Sequence, residues 1–170
     1  MVMIRKVEEK DLDIVDELFN EGREYFRKHG INQWQSEPGG YPSKNDVKKD
    51  MENSGGYVAV EDDMVIGYSY INELDEKNYH YIEGDWLNDE PYVVVHRTCV
   101  SNACKGKGVG SLFFEKAKEI CVNKGLHSIR VDTHQDNLSM QRLLEKNGFI
   151  KCGIIYVQDG SPRYAYQLLV

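Results

Sequence analysis

The sequence predicts an α/β fold on a mixed sheet, and three observations carry that prediction. Residues 57–60, the pair Asp62-Asp63 and residues 64–71 read as an antiparallel hairpin. The β-branched run Val93-Val94-Val95 leads through a glycine-rich turn at 105–110 into an amphipathic helix. A further strand, Ser128–Thr133, follows that helix, and strand–helix–strand order implies a parallel, right-handed crossover. With no repeat, linker or second composition, the 170 residues read as one domain, 1–170.

Residues 3–7 alternate weakly and suit a short first strand. From Asp11, the positions Leu12, Val15, Leu18, Phe19, Gly22, Tyr25 and Phe26 recur at helical spacing. That helix should stop near Gly30, with Arg27, Lys28 and His29 matching its negative end. Residues 31–42 form a loop holding Trp34, Pro38, Gly39, Gly40 and Pro42. Ser43 with Asp46 makes a capping box for a short helix through Val47 and Met51, closed by Gly55-Gly56. After the hairpin, residues 72–91 are acidic and aromatic, and a loop of that length in a small domain is either functional or mobile. Residues 92–100 are the central strand and 109–123 the helix beyond the turn, capped by Gly125. Asp136 or Asn137 caps a further helix through Met140, Leu143 and Leu144, which Asn147-Gly148 ends. Residues 149–157 and 163–170, joined at Asp159-Gly160, close the chain as a hairpin.

Bulk properties narrow the class of partner. A formal charge of −7 argues against nucleic acid. No segment approaches the roughly 18 apolar residues of a membrane span, and the first ten residues lack a signal-peptide core. The four cysteines show no CxxC and no zinc-ligand spacing, so a reduced, cytoplasmic protein without a metal site is expected.

Against that acidic background, Lys105-Gly106-Lys107-Gly108-Val109-Gly110-Ser111 stands out. Alternate glycines let a backbone approach a ligand and turn several N–H groups one way. The following helix N-terminus adds unpaired donors and the positive end of its dipole, and two lysines add charge. Such a turn suits an anion, phosphate above all. It is no Walker loop, since no Gly-Lys-Ser/Thr follows a four-residue gap. It lacks the third glycine of a dinucleotide fingerprint. A turn of this kind can also join a strand to a helix and bind nothing.

Together with Asn137, Met140, Leu143-Leu144 and Gly148-Phe149, this turn resembles the GNAT superfamily of acetyl-CoA-dependent N-acetyltransferases, and the element order agrees over nearly the whole chain. Lys105 takes the place of the family's Arg or Gln. The resemblance implies a GNAT-like mixed, partly splayed central sheet flanked by about four helices. It implies acetyl-CoA as co-substrate and no metal. The backbone of Cys99 and Val100 would pair with pantetheine, and Lys105, Gly106, Lys107, Gly108, Val109, Gly110 and Ser111 would hold the pyrophosphate. Asn137, with Met140 in the same motif, would reach the pantetheine arm or serve as a plain helix cap.

Direct acetyl transfer needs a neutral amine, although a free alkylamine has a pKa near ~10.4. His96, counted onto one face of the central strand with Val94, Thr98 and Val100, is the candidate base; a structural histidine at the sheet edge is the alternative. His134 ends the next strand, where open α/β sheets place ligands. It shares a face with Arg130 and Asp132 as either a positioning set or an ion-paired surface row. Leu144 stands where many family members carry an acidic Tyr. Tyr156, Tyr164 or Tyr166 would have to substitute, or the thiolate, with an intrinsic thiol pKa near ~8.5, would leave unaided. Cys99 and Cys152 read as packing residues rather than acyl carriers. Trp34, Tyr79, Tyr81 and Trp86, set among carboxylates, suit a cationic acceptor; a solvated acidic loop with the aromatics tucked under it is the alternative. The expected partner is a small-molecule amine, with a protein amine as the runner-up and a homodimer left open. A non-catalytic acetyl-CoA sensor and an interaction domain are the rival readings.

Overall fold

The computed structural model describes residues 1–35 and 40–170, so Pro38 and Gly39 of the predicted 31–42 loop lie outside it. Elements follow in the order β1 (Met3–Lys6), α1 (Leu12–Lys28), α2 (Lys44–Glu52), β2 (Gly56–Glu61), β3 (Met64–Glu73), β4 (Glu83–Gly84) and β5 (Val93–Val100). Then come α3 (Val109–Lys124), β6 (Ser128–Thr133), α4 (Leu138–Lys146), β7 (Ile150–Tyr156) and β8 (Pro162–Leu169). Strand order in the open mixed sheet is β1-β2-β3-β5-β6-β8-β7-β4. Two compact units divide the chain, Met1–Ile71 with Arg97–Phe113, and Asn72–His96 with Phe114–Val170.

In the first unit β1, β2 and β3 form an antiparallel meander, with Ile4 opposite Ala59 and Val58 opposite Tyr68. Asp62 and Asp63 both take positive φ, 50° and 63°, the geometry of a tight hairpin turn whose twist matches its strands. The predicted apolar stripe of α1 supplies Leu12, Val15, Leu18 and Phe19 to a core shared with Val47, Val58, Tyr68 and Cys99. The capping box at α2 forms as expected, the Asp46 carboxylate accepting from the Ser43 N–H at 2.8 Å. Ser101 N–H donates to Ile66 O at 2.8 Å, and the hydroxyls of Ser69 and Thr98 meet at 2.8 Å. These contacts tie the end of β5 to β3.

In the second unit β5 and β6 run parallel through two residue pairs, Val93↔Ile129 and Val94↔Arg130. On its other side β6 pairs along its whole length, antiparallel to β8, from Ser128↔Leu169 to Thr133↔Tyr164. β7 and β8 make the expected closing hairpin. Residues 72–91, expected as one loop, contain a 3-10 turn at Lys77–Tyr79 and the two-residue β4 on the edge of β7. A two-residue strand is too short to leave a period in the sequence. Glutamine 167 (Gln167), fully buried on β8, holds the following segment: its Oε1 accepts from Leu87 N–H at 2.7 Å and its Nε2 donates to Asn88 Oδ1 at 3.2 Å. Arg130 adds a bond to Asn88 O at 2.7 Å. The segment is stapled at its base by side chains from distant strands.

Candidate active site

In the first unit, β5 ends in the predicted glycine turn. Gly106 and Gly108 have φ of 80° and 82°, the left-handed region that glycine enters without penalty. A Cβ added at either position would meet nothing within 4 Å. The turn therefore presents bare backbone to open space and runs directly into α3 at Val109. That is the fit expected for a phosphate-bearing group.

The two lysines are not equivalent. Lys105 Nζ lies 3.4 Å from the centroid of the Tyr25 ring on α1, and burial pushes its ammonium below the ordinary value while Glu21 and Cys99 oppose that. Lys107 is exposed. Glu21, one turn of α1 before Tyr25, accepts from the Asn102 N–H, so α1 grips the entry to the turn at two points.

Cys99 is buried, and desolvation pushes its thiol up to about 12, which makes it a packing residue rather than a nucleophile. A Cβ at Gly67 would lie 3.1 Å from Cys99 O, so β3 needs glycine there to approach β5. Trp34 stacks edge-on against Phe19 and Phe26, with centroids 5.9 and 5.3 Å away, and so belongs to the core beneath α1.

Arg97 breaks the pattern of β5. Its φ of 55° interrupts the two-residue alternation, so His96 cannot be placed on the face of Thr98 and Val100 by counting. The Arg97 guanidinium pairs with Asp50 of α2 and donates to Tyr41 Oη at 3.3 Å, while the Tyr68 hydroxyl also donates to Asp50. Burial pushes the Asp50 carboxyl up, against the opposing pull of Arg97. An arginine inside the run VVVHRTCV was the available signal for such a partner, because a charge in a buried strand needs one.

In the second unit His96 closes a polar cluster. Its Nε2 lies 4.0 Å from Glu76 Oε2, with the two side chains 18% and 22% exposed. The Tyr79 ring stands edge-on to the imidazole at 6.1 Å, and its hydroxyl donates to Asp132 Oδ2 at 2.6 Å. Burial, then Asp132, raises the Tyr79 phenol well above its ordinary range. The sequence offers Tyr79 as an aromatic for the acceptor rather than as a partner of Asp132, and Glu76 was missed because nothing distinguishes it from its neighbours in an acidic, aromatic segment.

Arg130, Asp132 and His134 do not form a surface row. Arg130 is 5% exposed, its guanidinium between the rings of Trp86 and Tyr92 at 4.1 and 4.2 Å. Trp86 also donates Nε1–H to Tyr79 O at 3.0 Å, so this predicted acceptor residue is part of the wall. His134 Nδ1 accepts from the Asp136 N–H at 3.0 Å. Burial pushes the imidazole below its ordinary value, Arg163 adds to this, and Asp136 partly opposes it. With Nδ1 accepting, the neutral ring carries its proton on Nε2 and is a donor.

Asn137 caps α4, its side chain accepting from Met140 N–H at 3.2 Å. Tyr81 is 63% exposed and lies 6.4 Å from the Tyr156 ring. Leu144 is fully buried. Tyr156 donates its hydroxyl to Glu83 at 2.8 Å, Tyr164 faces the Lys151 ammonium at 3.3 Å, and Tyr166 is 1% exposed. Among the described residues, no group of three His, Cys, Asp or Glu side chains could hold a metal, and no helix is long and apolar enough to cross a membrane.

The family model described as Acetyltransferase (GNAT) family matches residues 15–149. An acetyltransferase of the GNAT family from Streptococcus agalactiae 2603 superposes with a TM-score of 0.89 at 33% identity, covering 99% of this chain and 95% of that one. The protein yncA of Salmonella typhimurium, provisionally named an acetyltransferase and solved with its cofactor acetyl-CoA, shares the fold at TM-score 0.68 and 16% identity, covering 99% and 94%. YwnH of Bacillus subtilis (strain 168), provisionally named a phosphinothricin acetyltransferase, is 36% identical over 73 residues. That match spans 41% of this chain and 44% of YwnH, less than half the length of this curated relative.

Proposed function

Because the chain belongs to the acetyltransferase (GNAT) family, we propose that it transfers the acetyl group of acetyl-CoA to the primary amine of a small molecule by direct attack in a ternary complex. The observation that carries the cofactor half of this reading is the open glycine turn feeding α3. In this reading the main-chain N–H groups from Lys105 to Ser111 hold the pyrophosphate, with Lys107 as the mobile charge. Cys99 and Val100 offer backbone to the pantetheine amides, and Asn137 and Met140 contribute from the start of α4. When bound, acetyl-CoA supplies the thioester carbonyl.

His96 takes a proton from the acceptor nitrogen, which an ammonium near pKa ~10.4 must lose before it can attack. A main-chain N–H near Val100 stabilises the oxyanion. His134, a donor at Nε2, orients water or acceptor rather than removing a proton. Tyr81, among acidic neighbours, draws in a cationic amine.

A sensor that binds acetyl-CoA without turnover is favoured by one observation, the buried Leu144 at the place of the usual acid. Thiol release from acetyl-CoA separates the two. The amine panel should include amino acids, polyamines, phosphinothricin (the compound in the Bacillus relative's name) and a peptide N-terminus. Release with a small amine is the expected result. Release with the peptide alone overturns the small-molecule reading, and release with none supports the sensor.

A further inference from the structure

Glu76 has no place in the roles assigned so far, yet its backbone is held at both ends and one oxygen of its carboxylate is held by a side chain. Its own N–H donates to the Tyr92 hydroxyl at 3.0 Å. Asn78 Nδ2 donates to its Oε1 at 3.1 Å. The Tyr79 N–H donates to its backbone carbonyl at 2.9 Å. With Oε1 taken by Asn78, the other oxygen, Oε2, lies 4.0 Å from His96 Nε2, beyond hydrogen-bond distance but within reach of a charge interaction, and both side chains are mostly covered.

We propose that Glu76 is a positioning residue for acetyl transfer, a fixed carboxylate that stabilises the protonated form of His96 after the imidazole has taken the proton of the acceptor amine. The proton moves from the acceptor nitrogen to the imidazole. The positive charge formed there faces a carboxylate already in place, so no side chain must reorganise during the step. This rests on the reading of His96 as the base.

Two neighbouring titratable groups are committed elsewhere. Tyr79 presents a ring edge and has its hydroxyl committed to Asp132 of β6. Arg97, next in the chain, is paired with Asp50. Glu76 brings a carboxylate close enough to couple to His96 by charge. Asn78 gives the arrangement its specificity, since it selects which oxygen faces the ring.

The test is an NMR titration of the His96 C2 proton in the wild type, Glu76→Gln and Glu76→Asp, alongside the pH profile of kcat/KM with the amine that gives thiol release. Loss of the anion should lower the His96 midpoint by about one pH unit in Glu76→Gln. The acid limb of kcat/KM should move by the same amount, and Glu76→Asp should restore part of both. Asn78→Ala, which keeps the charge but frees the carboxylate, should lower kcat severalfold with KM little changed. An unmoved His96 midpoint in a folded Glu76→Gln protein overturns the proposal. A midpoint that moves while the acid limb stays still upholds the Glu76–His96 coupling and overturns His96 as the base.

Discussion

Replacing Gly108 by Ala separates backbone strain from ligand recognition, because the protein contains its own control. Gly108 and Gly125 have φ of 82° and 68°, and an added Cβ meets nothing within 4 Å at either place. Gly108 leads into α3 and Gly125 follows its end. Holding an alanine in the left-handed region costs about 1–2 kcal/mol. At about 2–4 °C per kcal/mol for a chain of this size, each variant should lose about 2–8 °C in Tm without ligand. The two losses should be alike.

Coenzyme A at a hundredfold excess over its Kd should raise the wild-type Tm by the equivalent of about 2.7 kcal/mol, or about 5–11 °C. Gly125→Ala should keep that shift. In Gly108→Ala the methyl group projects into the space the pyrophosphate would use. A tenfold loss of affinity would leave about 1.4 kcal/mol, halving the shift, and a hundredfold loss would leave almost none. Differential scanning fluorimetry at one fixed coenzyme A concentration reads all three proteins. A Gly108→Ala protein that keeps the full shift would refute the turn as the pyrophosphate cradle.

Three further outcomes follow from the same structure. His134 is held below its ordinary pKa, so the folded state disfavours its proton; its contribution to stability is complete above about pH 6.5 and is lost as pH falls from there through the lower folded value. Urea titrations between pH 5 and 7.5 should show that loss in the wild type and a flatter dependence in His134→Gln. Tyr79→Phe removes the donor to Asp132 from a fully buried ring and should cost about 1–3 kcal/mol, read as a lower urea midpoint at constant m-value. Tyr156→Phe and Tyr164→Phe should each keep kcat within about threefold, since their groups are engaged with Glu83 and Lys151; a general acid is worth about 10²–10⁴-fold, and a loss of that size in either variant would identify the missing acid.

What could be read from the sequence depends on how far apart the cooperating residues lie. The α1 stripe, the Ser43–Asp46 box, the Asp62-Asp63 turn and the glycine turn are each written within a few consecutive residues, and each forms where the spacing predicts. The segment 72–91 was opaque because its partners, Gln167 and Arg130, arrive from β8 and β6. Arg97 shows how one local exception defeats a sound rule. Its left-handed backbone resets the alternation of β5, and its charge is answered by Asp50, 47 positions away in the chain.

The same distinction divides the site. A phosphate cradle is a backbone device, and a run such as Gly106-Lys107-Gly108 specifies it whatever surrounds it. An acceptor site is made of side chains that tertiary structure assembles, and composition alone does not say what each one packs against. Trp34 and Trp86 have the right chemistry for a cationic amine, yet the first packs beneath α1 and the second covers Arg130. Glu76 looks like any other acidic residue of its segment until Asn78 and Tyr92 fix it opposite His96. On the proposed reading of this segment as the acceptor side, substitutions at Gln167 or Asn88, which hold it at Leu87 and Asn88, should alter amine preference before they alter coenzyme A affinity.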